Sequence, residues 1–126
     1  MRSAILFYSS VVMLTAASAE TERCPHADGD SCNEWRLERM ERELANLIAG
    51  PSEWIDGMPA GLQDRARAAL NEAQKQWIAF RDAECRRELT WSYATARTER
   101  GFIANCRLNM TFHRLESLQK LYKLKP

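Results

Sequence analysis

The chain has 126 residues and a formal net charge of +1, with 45% hydrophobic and 28% charged residues. This length suits one small domain and excludes a multidomain enzyme. The hydrophobic content is typical of a folded globular protein and argues against disorder. Five glycines and four prolines are too few for the many tight turns of a sandwich or barrel. No stretch of the sequence alternates apolar and polar residues as a strand does, so we expect an all-α fold.

The first nineteen residues have the pattern of a secretory signal peptide. Arg2 gives a positive start, an apolar stretch runs from Ala4 to Leu14, and Ala17-Ser18-Ala19 matches the small-x-small cleavage site. The alternative, an uncleaved membrane anchor, is disfavoured because the apolar stretch is too short to span a bilayer. We therefore expect residues 1–19 to be removed. Residues 20–126 then form one domain that is periplasmic or secreted, without stable membrane insertion.

Removing residues 1–19 leaves 17 basic and 17 acidic residues, hence a net charge of zero. A neutral protein has no general attraction to nucleic acid or to an anionic membrane. The four cysteines are an even number, which in an exported chain indicates two disulfides with three possible connectivities. Their spacing lacks the close pairs of zinc sites, so we expect no metal and no cofactor. These cysteines are Cys24, Cys32, Cys85 and Cys106.

The first predicted helix follows an irregular segment over residues 20–31. Ser31 and Glu34 have the spacing of a capping box, which predicts that the helix begins there. One apolar stripe with spacings of three and four then indicates an amphipathic helix. Gly50-Pro51 predicts its end, because Gly tolerates a left-handed cap and Pro does not continue a helix. The stripe consists of Leu37, Met40, Leu44 and Leu47.

A loop is predicted for residues 50–61, because glycines and prolines are concentrated there. Within it, we expect Trp54 and Ile55 to cover the core. A second helix is predicted from about Leu62 to about Thr90, because this stretch is rich in Ala, Gln, Glu and Arg.

The stretch from Trp91 to Gly101 is ambiguous between loop and helix, and Gly101 is its only clear breaker. A third helix is predicted from about Phe102 to Lys120, with His113 among its core positions. The expected fold is a small, disulfide-stapled, all-α domain. In it, one shorter helix packs on a long antiparallel hairpin made of the second and third helices.

A polar cluster is predicted on one face of the second helix. At 100° per residue, Gln74, Arg81 and Glu84 fall beside Trp77 on the face that carries the core residues. Because a buried charge requires a partner, we expect Arg81 to pair with Glu84, three residues away. Two interpretations follow: a structural network that fixes the helix register, which we favour, or a ligand-binding cluster.

The run Gln74-x-x-Trp77-x-x-x-Arg81-x-x-x-Cys85 resembles the signature helix of the lysozyme-inhibitor LprI-like N-terminal domain family. The resemblance covers about residues 24–118. Upstream, the residues that match the family pattern are Cys32, Leu37, Met40, Glu41 and Leu44. Downstream, they are Cys106, Met110, Thr111, Arg114 and Leu118.

This resemblance implies a helical bacterial envelope protein in a family named for inhibition of lysozyme by a few members. We interpret the chain as a non-enzymatic protein-binding module whose partner in the envelope is unidentified. The alternative is an inhibitor of lysozyme-type muramidases, against which the zero net charge counts, since many lysozymes are strongly basic. Trp91, Tyr93 and Arg97 are candidate partner contacts. The polar and aromatic motif set of the family consists of the cluster on the second helix together with Arg114.

An enzyme is not expected from these residues. With all cysteines paired, no thiol nucleophile remains. His26 and His113 lie in different segments, and no serine has the context of a nucleophile elbow. We predict no catalytic residues.

For the disulfides we predict the pairs Cys24–Cys32 and Cys85–Cys106, the second worth about 3 kcal/mol in the loop-entropy model. A Cys85–Cys106 bridge between antiparallel helices also sets their register. It predicts that Trp77 faces Arg114 as a cation–π pair and that Leu70 faces Leu121.

Overall fold

The structure is a computed structural model that describes residues 23–86 and 98–125. The all-α prediction is confirmed for these ranges. The only non-helical pairing within them is an isolated antiparallel bridge between Ser52 and Leu124. The helices are α1 (Gly29–Ala49), α2 (Glu53–Asp56), α3 (Ala60–Glu84) and α4 (Glu99–Leu121).

Helix α1 begins earlier than the predicted capping box. Its N-cap is Asp28, whose carboxylate accepts a hydrogen bond from the Ser31 backbone N–H at 2.8 Å. Asp is as good an N-cap as Ser, and this cap places Cys32 in the first turn of α1. The Glu34 side chain does not return to the Ser31 backbone but pairs with Arg100 of α4. The capping-box prediction is therefore wrong.

Helices α1 and α4 run in the same direction, and α1 packs against α4 more extensively than α3 does. Near their starts Glu34 pairs with Arg100. Just after α1 ends, the Ser52 hydroxyl donates to the Tyr122 carbonyl at 2.8 Å, immediately beyond α4. Helix α3 is antiparallel to both, since Arg67 near its start reaches the Ile48 carbonyl at 3.0 Å near the end of α1.

The apolar core lies towards one end of this three-helix arrangement. We call this the apolar end; it comprises the ends of α1 and α4, helix α2 and the first half of α3. The opposite end, where α1 and α4 begin and α3 ends, is the disulfide end. The buried residues of the core cluster are Leu44, Leu47, Ile48, Ile55, Leu70, Leu118 and Leu124.

The predicted loop over residues 50–61 contains the short helix α2. Its N-cap is Ser52, whose hydroxyl accepts from the Ile55 N–H at 3.0 Å. Ile55 is fully buried, as expected, but Trp54 is 48% exposed. Its ring meets that of Tyr122 edge to face, with centroids 5.6 Å apart. The expectation for Trp54 is therefore wrong. Its half-exposed ring packs at the edge of the core against Tyr122, the residue that follows α4.

Helix α4 starts before the predicted boundary, with Thr98 as its N-cap. Gly101 lies inside the first turn and donates its N–H to the Thr98 hydroxyl at 3.0 Å. It is not a breaker; a Cβ there would lie 2.1 Å from an Asp30 carboxylate oxygen, so the absent side chain makes room for α1. Helix α3 ends at Glu84, before the predicted Thr90.

His113 is exposed, with 75% of its side-chain surface accessible. The prediction that it occupies a core position is wrong. The buried face of α4 passes through Thr111 and Leu118, and His113 lies about 200° around the helix from Thr111. No helix within residues 23–86 and 98–125 has the length and apolar character of a membrane span.

Both disulfides have the predicted connectivity. Cys24 is bonded to Cys32, with Cα atoms 5.7 Å apart. Cys85, at the C-cap of α3, is bonded to Cys106 on α4, with Cα atoms 5.6 Å apart. Together they tie the segment before α1 to its first turn and the end of α3 to α4.

Candidate functional site

Arg81 is the centre of the polar cluster and is only 3% exposed. Its guanidinium meets Glu41 Oε1 of α1 at 2.8 Å and Asp82 Oδ1 at 2.9 Å. It also donates to the Thr111 hydroxyl of α4 at 2.9 Å. One buried side chain of α3 thus contacts both other long helices, and its charge is compensated by two carboxylates.

Two guanidinium groups lie over the Trp77 ring. The Cζ atoms of Arg81 and Arg114 are each 5.5 Å from its ring centroid, within the range of cation–π contacts. Gln74 completes the arrangement, because its Oε1 accepts from Arg114 Nε at 3.2 Å. Burial lowers the pKa of the Arg114 guanidinium from its ordinary value. The predicted pairing of Trp77 with Arg114 is therefore confirmed.

Two details of the predicted register are wrong. Arg81 pairs with Glu41 and Asp82 rather than with Glu84. Leu121 is 70% exposed, and the α4 residue that joins Leu70 in the core is Leu118. Both predictions considered α3 and α4 alone, whereas α1 supplies the partner of Arg81 and shares the same core.

This cluster has the properties of a structural network. The described partners of Arg81 belong to the chain itself and come from all three long helices. A surface groove of about 400 Å³ runs beside it between α1 and α3. The Arg81 guanidinium remains almost fully buried beside this groove. The arrangement is therefore suited to fixing helix register rather than to presenting a charge to a ligand.

The sequence prediction missed several members of this network. Glu41 and Thr111 belong to the residues that carry the family resemblance, and that was the available signal for them. Asp82 also lies 3.1 Å from Arg107 Nε of α4. No spacing rule along one helix predicts such an ion pair between helices.

Polar contacts also join α1 and α4 at the disulfide end. Two guanidinium nitrogens of Arg100 donate hydrogen bonds to the Glu34 carboxylate. This contact lowers the pKa of the Glu34 carboxyl. Beside them the Thr98 hydroxyl donates to Asp30 at 2.6 Å. The candidate partner contacts Trp91, Tyr93 and Arg97 lie outside the described residues.

A partly apolar groove of about 320 Å³ lies between α1 and α4. Met40, Leu108 and the half-exposed Phe112 form its apolar part, and Arg36 and Arg39 lie at its edge. Within the described part of the chain, no group of three or more His, Cys, Asp or Glu residues is arranged to hold a metal ion.

The sequence of the chain matches one protein family along most of its length. The family is described as Lysozyme inhibitor LprI, and the match covers residues 16–118. The chain belongs to the LprI family. The matched range contains both disulfides and the whole network around Arg81. Neither the curated proteins nor the solved structures contain a match. The LprI family is a family of inhibitors, not of enzymes.

Proposed function

We propose that this protein binds a lysozyme-type muramidase and inhibits it. The observation that carries the proposal is the match of residues 16–118 to the LprI family, described as lysozyme inhibitors. It favours the inhibitor over the broader interpretation of an envelope protein-binding module with an unidentified partner. An inhibitor acts by occupying a surface of its target, so it requires a rigid fold rather than a catalytic centre.

The compartment fits this function. Two disulfides indicate an oxidising environment outside the cytoplasm, which is where a muramidase meets its substrate. We further propose that residues 1–19 direct export and are then cleaved, so that residues 20–126 form the mature domain in the periplasm or outside the cell.

Electrostatic steering contributes little to this association. The mature chain carries no net charge, and Arg100 in the first turn of α4 is paired with Glu34. We therefore expect association with a basic lysozyme to be driven by shape and short-range contacts. Its rate should depend only weakly on ionic strength.

The test is a dose–response measurement with oxidised protein comprising residues 20–126. Hydrolysis of a peptidoglycan substrate by purified c-type lysozyme is followed at increasing protein concentration. Saturable inhibition with one-to-one stoichiometry supports the proposal. A reduced and alkylated sample is the control, and it should lose inhibition because both disulfides hold the fold. Absence of inhibition and of binding by the oxidised protein refutes the proposal.

A second candidate function is binding of another envelope protein through the groove between α1 and α4. The observation in its favour is the half-exposed Phe112 in that groove, since exposed aromatic side chains commonly anchor interfaces. A pull-down from envelope extract distinguishes the two functions. One specific co-purifying protein, combined with no effect on lysozyme, favours this second function.

A further inference from the structure

Three arginine side chains line one small pocket at the disulfide end. Arg100 and Arg107 belong to α4, and Arg86 lies two residues beyond the end of α3. We call this cavity of about 220 Å³ the arginine pocket. Among its described lining residues, Glu34 of α1 is the only acidic one. The walls of the pocket therefore contain more positive than negative groups.

Arg100 and Glu34 satisfy each other. Two guanidinium nitrogens of Arg100 donate to the two oxygens of the Glu34 carboxylate. This contact, with smaller contributions from Asp28 and Asp30, raises the pKa of the Arg100 guanidinium. Because this ion pair is closed, the groups available to a ligand are those of the other two arginines.

Arg107 has hydrogen-bonding capacity that its neighbours do not use. Its Nε lies 3.1 Å from Asp82 Oδ1, an oxygen that also faces the Arg81 guanidinium at 2.9 Å. The Nε atom is buried and makes no directed hydrogen bond. Within the described part of the chain, no contact engages the two terminal nitrogens of Arg107. A guanidinium has five N–H donors, so this side chain retains donors for a ligand.

Arg86 supplies the unpaired charge. Its side chain is exposed and forms no ion pair with the described residues. Cys85 directly precedes Arg86, and Cys106 directly precedes Arg107. The disulfide between these cysteines has its Cα atoms 5.6 Å apart. It therefore holds the backbones of the two arginines close together, which reduces the ordering cost when both contact one ligand.

The chemistry of the arginine pocket favours a carboxylate attached to carbon. Guanidinium groups match the planar carboxylate through paired hydrogen bonds. The pocket also has an apolar part, which includes the buried Leu37 and Ala104 and gives no advantage to a bare inorganic anion. Its volume is below the range of about 300–1,000 Å³ that is typical of sites for whole small molecules. A single side chain or chain end of a larger partner is the appropriate size.

We propose that the arginine pocket binds one carboxylate group of a peptide or protein partner, with Arg86 and Arg107 donating to its oxygens. An acidic side chain and a C-terminal chain end offer the same group. This site is independent of muramidase inhibition, and its test uses no lysozyme.

The experiment measures dissociation constants by NMR titration of the oxidised protein at low ionic strength. The probes are acetyl-Ala-Ala with a free C-terminal carboxylate, the same dipeptide as its C-terminal amide, and acetyl-Ala-Glu amide, which has only a side-chain carboxylate. At least one acid should bind about tenfold or more tightly than the uncharged amide, the gain expected for charge-assisted hydrogen bonds. The tighter acid identifies the source of the carboxylate. Equal binding of all three probes, or no binding, refutes the proposal.

Inorganic phosphate distinguishes a carboxylate site from a general anion site. The proposal expects phosphate to bind more weakly than the better acid, because phosphate makes no use of the apolar part of the pocket. Equal or tighter binding of phosphate contradicts the assignment to a carboxylate group.

The matched variants Arg86→Gln and Arg65→Gln locate the site. Arg86→Gln should weaken binding of the better acid by about tenfold, and its exposed position leaves the fold intact. Arg65→Gln is the control, because it removes the same charge from an exposed position near the start of α3. It should leave the dissociation constant unchanged within about twofold. Equal losses in the two variants would reduce the effect to net charge and overturn the site.

Arg107→Lys tests the second donor. The lysine retains a positive charge near Asp82 but lacks the planar fork of a guanidinium, so binding should weaken while circular dichroism shows the parent helix content. Unchanged binding in this folded variant refutes the role of Arg107. If the variant unfolds, the comparison of Arg86→Gln with Arg65→Gln still decides whether the pocket is the site.

Discussion

The two ends of the helix bundle are stabilised by different chemistry. The apolar end contains the leucine-rich core, in which Leu70 and Leu118 are almost fully buried. At the disulfide end, the buried positions of α4 are the small residues Gly101 and Ala104. Covalent bonds, ion pairs and hydrogen bonds join the helices there. Small domains gain limited stability from their cores, and here cross-links and polar contacts stabilise the half that has few large apolar residues.

Four experiments test the contrast between the two ends, in decreasing order of the quantity that decides each one: two unfolding free energies, a coupling energy and an acid dependence.

The largest effect is expected in the core of the apolar end. Leu118 is fully buried, whereas Leu121, three residues along the same helix, is 70% exposed. Leu118→Ala should lower the free energy of unfolding by about 2–5 kcal/mol through lost burial and the cavity left behind. Leu121→Ala is the control and should change it by no more than about 0.5 kcal/mol. Urea unfolding followed by circular dichroism measures both, and equal losses would contradict the assigned core.

Replacing Arg81 tests the polar network. Arg81→Met keeps most of the volume but leaves Glu41 and Asp82 without their cation. Since these carboxylates retain about 42% and 35% of their side-chain exposure, water compensates in part. We expect a loss of about 2–3 kcal/mol, at or below the lower end for a broken buried pair. Arg86→Met, at an exposed site near the end of α3, should change stability by at most about 0.5 kcal/mol.

The contact between Trp77 and Arg114 calls for a double-mutant cycle. Both single alanine variants are expected to be destabilising, with Trp77→Ala the more costly at about 3–5 kcal/mol because it also removes core volume. The coupling energy between them should be about 0.5–2 kcal/mol, the range of a cation–π contact. Strictly additive losses would show that these side chains do not interact in solution.

The smallest effect is the acid dependence contributed by Glu34. Arg100 lowers the pKa of this carboxyl below its ordinary value of 4.5. Its stabilising contribution is therefore present above about pH 4.5, where an unfolded-state glutamate is already ionised. The contribution is lost as the pH falls through the lowered pKa of the folded state.

Melting temperatures measured from about pH 2 to about pH 7 test this expectation. This range extends roughly two units or more on either side of the ordinary pKa of a glutamate. Glu34→Gln should reduce the decline of the melting temperature at acid pH. The control Glu38→Gln lies at an exposed position of the same helix. Its melting temperature should decline at acid pH nearly as much as that of the parent protein. Identical curves for Glu34→Gln and the parent protein would refute the role of the Arg100 contact.

Local sequence patterns predicted the helical class, the two disulfides, and the apolar stripe of α1. These features depend on residues close in sequence or, for the cysteines, on a small number of possible pairings. The helix boundaries were less accurate: Asp28 competes with Ser31 as the cap of α1, and a glycine within a first turn has the same sequence signature as a breaker.

The sequence by itself determined that this chain forms a small helical domain of the LprI family with two disulfides. Only the tertiary structure decided that α1 runs parallel to α4, that Arg81 pairs with Glu41 rather than Glu84, and that Gly101 accommodates Asp30. The physical reason is that periodicity defines the apolar face of each helix, whereas the partner of a buried charge depends on which helix packs against that face.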